Sequence, residues 1–65
     1  MMTPLGEMAV AAPRMGAWLT ELVRESGVGT VDDPDARILA ARINDIASML
    51  TVVSACAYRL DAQAS

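Results

Sequence analysis

Two regular trains of apolar residues run along the chain, separated by a short polar stretch that holds two glycines. In the second train Leu39, Ile43, Ile46, Leu50, Val53, Ala57 and Leu60 recur at alternating spacings of four and three. That alternation keeps every member on one stripe of an α-helix and is the pattern of a heptad seam. No glycine or further proline follows Pro34, so the spacing predicts a helix over about residues 34–62. At ~1.5 Å per residue such a helix is long for so small a protein, and is of the kind found in helical bundles.

The first train, Met8, Ala12, Met15, Leu19, Leu22 and Ser26, has the same spacing, with Trp18 beside it. Pro13 interrupts it. Proline lacks the amide that an interior helical position donates, and it fits best in a first turn. The expectation is a helix over about residues 13–26. Residues 4–11 are left as a separate helical turn, joined to it through a kink if at all.

Local signals mark the junction. Ser26-Gly27-Val28-Gly29-Thr30 reads as a loop, and Gly27 suits the left-handed position just past a helix end. Asp33 suits the N-cap of the second helix, with Pro34 at its first position and Asp35 adding negative charge to its first turn. A connection over residues 27–33 turns two helices into an antiparallel hairpin. The expected fold is therefore all-α: one domain over residues 1–65, with a short first helix and a long second one. Because the helices differ in length, part of the long seam stays uncovered. Two hairpins can cover it by pairing into a dimeric four-helix bundle. The core and dimer seam is expected to comprise Leu39, Ile43, Ile46, Leu50, Val53, Ala57 and Leu60, with Met15, Leu19 and Leu22. On the opposite side of the long helix, Ala40, Ala41, Ala47, Ser48, Ser54, Ala55 and Ala62 form a small-residue face that is cheap to dehydrate. This too points to contact on more than one side.

Composition sharpens this picture. The chain has 65 residues, 54% of them hydrophobic but only 3% aromatic. Alanine supplies much of that apolar fraction and buries little area. A core of this size seldom yields more than ~3–5 kcal/mol without disulfides, a metal or oligomerisation. A single cysteine excludes a disulfide scaffold. The net charge of −3, with arginine as the only basic residue, argues against nucleic-acid binding. No arginine or lysine lies near the start to open a signal peptide. The charge-free run from Ile46 to Tyr58 is shorter than the ~20 residues of a spanning helix. These features suggest a protein without a membrane span, in the cytoplasm of a bacterium or of a phage-infected cell.

Candidate chemistry is sparse. With no histidine and no lysine, the commonest general base and the Schiff-base amine are both missing. Cys56 falls mid-helix without an activating partner and reads as a buried, inert thiol. Asp32, Asp33 and Asp35 fail the calcium-loop pattern, since Arg37 and Ile43 stand where a glycine and a glutamate are required. Glu21 and Glu25 lack the Glu-x-x-His partners of a di-iron bundle and read as a solvated face, with Glu21 near Arg24. The expectation is no enzyme, no metal and no cofactor.

What remains is surface. Trp18, Met8, Val52 and Tyr58 are the candidate partner-binding residues, because large aromatic and adaptable apolar side chains dominate protein contacts. The expected role is a protein-interaction module, an adaptor or a regulator of a partner protein, working as a homodimer. A structural or accessory subunit of a larger complex is the alternative, and a membrane-active peptide of holin or antiholin type is a more distant one.

Overall fold

A computed structural model describes residues 1–64; Ser65, the last residue of the expected domain, lies outside the described residues. The chain is all-helical. Helix α1 spans Pro4–Ser26, a single 3-10 turn covers Val28–Thr30, and helix α2 spans Pro34–Ala64. The two helices pack antiparallel along their length as a hairpin.

The junction follows the sequence signals. Gly27 adopts φ 72°, and its amide donates to the Arg24 carbonyl at 3.3 Å. Ser26 Oγ donates to the Val23 carbonyl at 2.6 Å and accepts from the Val28 amide at 3.2 Å. These bonds satisfy groups that a helix end leaves unpaired. At the start of α2, Asp33 accepts from the Asp35 amide at 2.8 Å, the bond expected of an N-cap.

The start of α1 differs from expectation. The helix does not begin at Pro13. It runs unbroken from Pro4, with Thr3 as its N-cap accepting from the Gly6 amide at 3.0 Å, and Pro13 lies in its interior. An interior proline removes the amide that should donate to the carbonyl four residues earlier, here Ala9. That carbonyl is supplied from elsewhere: Ser54 Oγ, on α2, donates to the Ala9 oxygen at 2.5 Å. The hydroxyl replaces the missing helical donor and ties the two helices together at the same point.

The packing face also differs from the greasiest stripe. On α1 the residues turned toward α2 are Leu5, Ala9, Ala12, Gly16, Leu19 and Val23; on α2 they are Ala36, Ala40, Ile43, Ala47, Leu50, Ser54, Ala57 and Asp61. Both sets keep the alternation of four and three. With Ala12, Leu19, Ile43, Leu50 and Ala57 labelled as heptad a positions, the inner face is a and e. The large d residues stand outside it: Met8, Met15 and Leu22 on α1, and Leu39, Ile46, Val53 and Leu60 on α2. All seven are between 40% and 53% exposed. Among the described residues, the buried apolar side chains of the hairpin are those of Ala9, Ala12 and Ala57.

Small side chains explain this choice. A Cβ built on Gly16 would lie 3.6 Å from the Cα of Ala47 and 3.7 Å from its Cβ, so the helices meet almost backbone to backbone. Large d side chains at that crossing would hold the helices apart. Close approach gains dispersion contact along both backbones and brings Ser54 within reach of Ala9. The molecule that results is long and thin, measuring 50 × 17 × 10 Å. Its radius of gyration of 14.9 Å exceeds the ~11 Å of a compact chain of this length.

Candidate interaction surface

The two outer faces of the hairpin differ in character. Each d residue precedes an e residue by one position. Because the helices run antiparallel, stepping back one residue turns toward the same side on both. The d rows of α1 and α2 therefore share one face. At the loop end they meet in a shallow groove lined by Leu19, Leu22, Leu39 and Ile43, with Val28 from the 3-10 turn. The opposite face carries a groove lined by Pro13, Ala17, Thr20, Glu21 and Thr51 on either side of the Gly16–Ala47 contact. Its hydroxyls are occupied locally. Thr20 donates to the Gly16 carbonyl at 2.9 Å and Thr51 to that of Ala47 at 3.3 Å, which makes the side polar without asking for a ligand.

Relative height along the hairpin is set by a ladder of contacts. Thr3 Oγ1 donates to the Asp61 carboxylate at the open end. Ala9 meets Ser54 and Gly16 meets Ala47 further along, and Val23 and Ala40 line one cleft near the loop. Seven-residue steps up α1 thus match seven-residue steps down α2, which fixes the level of every other side chain. The g row bordering the apolar face reads Ala11, Trp18 and Glu25 on α1, and Asp35, Arg42, Met49 and Cys56 on α2.

The four candidate partner-binding residues do not form one patch. Met8 lies in the d row and Trp18 on the border of the same face. Tyr58, 72% exposed, shares the polar side with Thr51. Val52 is six residues from Tyr58, about 120° around the helix, and faces away from α1. Of the ten seam residues, Leu19, Ile43, Leu50 and Ala57 face the other helix, and Met15, Leu22, Leu39, Ile46, Val53 and Leu60 face outward. Three of the seven residues of the small-residue face, Ala40, Ala47 and Ser54, are taken up by contact with α1. Cys56 corrects the expectation of a buried thiol: it is exposed, because α1 covers a and e while Cys56 occupies g.

The charged side chains offer little further chemistry. Arg24 pairs with Glu21, its Nε donating at 3.1 Å, and Arg37 pairs with Asp32 at 3.0 Å. Both pairs are exposed to water and contribute little to stability. Among the described residues no group of three or more His, Cys, Asp or Glu is placed to hold a metal ion. By length and composition α2 is apolar enough to cross a membrane. Compared with protein-family models, curated proteins and solved structures, the chain gives no significant match.

Proposed function

We propose that this chain is a non-enzymatic protein-interaction module that works as a homodimer of helical hairpins, a four-helix bundle acting as an adaptor or regulator of a partner protein. The observation that carries this reading is the uncovered row of seven large d side chains on one face. Four-helix bundles bury a and d together; here a is buried or half-buried and d is open to solvent. The area supports the same conclusion. The single chain exposes 5042 Å², against about 4000 Å² for a compact monomer of its mass. The difference is comparable to the ~800 Å² that each partner buries in a stable complex.

Sedimentation or light scattering on the purified chain tests this directly. The expected mass is twice 6.9 kDa. Thermal unfolding should shift upward with protein concentration, because dissociation and unfolding are linked in a dimer with so small a monomer core. A stable species at the monomer mass, melting at a concentration-independent temperature, defeats the homodimer. A chain that stays soluble only with a second protein instead favours the accessory-subunit reading.

One observation favours a second reading. The length and apolar character of α2 suit a membrane-active peptide. Against it, the charge-free run from Ile46 to Tyr58 is flanked by Asp45 and Arg59, and a span of ~20 residues around it takes in charged side chains. Flotation with liposomes decides between the two, since a soluble bundle stays at the bottom of the gradient.

A further inference from the structure

The apolar face carries information about how a second copy would sit on it. Two closed arrangements bring d face to d face. In one the two-fold axis lies across the hairpin, so that α1 covers α1 of the second copy and the loops point to opposite ends. In the other the axis runs along the hairpin, so that α1 covers α2 of the second copy and the loops lie at one end. Apolar area does not separate them. The bordering g rows do, because charges at such flanks set the orientation of helical pairs.

We infer that the hairpins associate with their loops at the same end, α1 of each over α2 of the other. This inference rests on the homodimer reading above. In this arrangement heights are preserved between copies, so the contact ladder within one chain places residues of the other. Trp18 comes level with the interval between Arg42 and Met49 of the second copy, and Glu25 with the interval between Asp35 and Arg42. Arg42 thus falls between an indole and a carboxylate, with Met49 on the far side of the ring. Three contacts of Arg42 and Trp18 are favourable: a guanidinium over an aromatic face, a thioether at a ring edge, and an ion pair; against them stands the like charge of the exposed Asp35 on the other side of Glu25. Among the described residues neither Arg42 nor Glu25 makes an ion pair within the chain, and Trp18 is 62% exposed. With the axis across the hairpin, Glu25 and Arg42 belong to different helix pairs. Arg42 then lies over the Cys56 region of the second α2, and neither charge finds a partner.

The loop supplies the test. Gly29 is exposed and a Cβ added there meets nothing within 4 Å, so Gly29→Cys in a Cys56→Ala chain accepts a spin label without disturbing the fold. If the loops share an end, the two labels of a dimer lie at a distance well inside the 50 Å length of the hairpin. A dimer mass with a distance of that length or greater overturns the orientation and leaves the dimer standing. A monomer mass with no dipolar coupling removes both. The border contact has its own check. Arg42→Glu should weaken association about tenfold, since each dimer holds the pair twice, and adding Glu25→Arg to the same chain should restore it. Failure of the second change to restore what the first removed overturns the pairing.

Discussion

The inner and outer faces of this hairpin use the same heptad spacing for opposite purposes. The inner face, built from Ala9, Ala12, Gly16, Ala40, Ala47, Ser54 and Ala57, is short of apolar area but lets two backbones approach closely. The outer face, built from Met8, Met15, Leu22, Leu39, Ile46, Val53 and Leu60, is rich in apolar area and is left uncovered by the chain. Side-chain size decides which face goes where. A pair of helices gains most from small residues where only two backbones meet. Large residues are better placed where four helices surround a common centre. In the proposed dimer the inner face sets the geometry of the hairpin and the outer face supplies most of its stability through association.

Aspartate substitutions give the largest test of that division. Leu50 is an a residue, facing α1 and, in the proposed dimer, the bundle centre as well, so Leu50→Asp should cost roughly 3 kcal/mol or more. Ile46 belongs to the outer face alone. Ile46→Asp should abolish the dimer and lower helicity at micromolar concentration, with a penalty that vanishes once the chain is too dilute to associate, whereas Leu50→Asp keeps its intramolecular penalty there. Sedimentation paired with circular dichroism reads both quantities. If Ile46→Asp keeps the wild-type mass and melting curve, the outer face is not an interface.

Overpacking the inner face comes next in size. Ala47 lies against Gly16, its backbone and Cβ at van der Waals distance from a Cβ there, and Ala47→Leu forces the helices apart at that point. The expected loss is about 1–3 kcal/mol, visible as a lower midpoint in urea. The same enlargement at Ser48, one position further round and exposed, should change stability by less than about 0.5 kcal/mol. Equal effects at the two positions would mean that the close contact does not govern packing.

The distribution of these effects also shows why the chain could be read only in part. Helix ends are local events. Gly27, Asp33, Pro34 and Asp35 announce themselves through neighbours one to four residues away, and the loop and the start of α2 lie where those signals put them. The packing face is not local. Hydrophobic periodicity finds the stripe of largest side chains, and on both helices the close contact uses the stripe one residue further on. Alanine, glycine and serine carry a weak hydrophobic signal, and their value lies in what they allow another backbone to do. Pro13 shows the same limit. Whether a helix continues through a proline depends on whether the freed carbonyl finds another donor, and that donor, Ser54, is 45 residues away. The outer apolar face is legible as greasy seam residues; that Trp18 and Tyr58 fall on opposite sides of the hairpin follows only once the packing face is known.

That exchange of donors can be measured. Ser54→Ala leaves the Ala9 carbonyl without its bond and should cost about 1–2 kcal/mol. In a Pro13→Ala chain the restored amide at position 13 can donate to the same carbonyl, so Ser54→Ala should cost less there. A double-mutant cycle between the two positions isolates the difference, with an expected coupling of about 1 kcal/mol. Zero coupling would mean that the hydroxyl and the proline act independently, and that the helix tolerates Pro13 for another reason.

The smallest expected effect runs in the favourable direction. Gly16 lies on the inner face against the Ala47 backbone, which suggests that only glycine fits. The distances argue otherwise. A Cβ there meets Ala47 at 3.6–3.7 Å, ordinary van der Waals contact, and Gly16 has a normal helical φ. Gly16→Ala should therefore add contact between the helices and remove the excess conformational freedom that glycine gives the unfolded chain, for a gain of roughly 0.5–1 kcal/mol. A lowered melting temperature would show that the helices approach more closely than these distances allow, and that the inner face has less room than the geometry assigns to it.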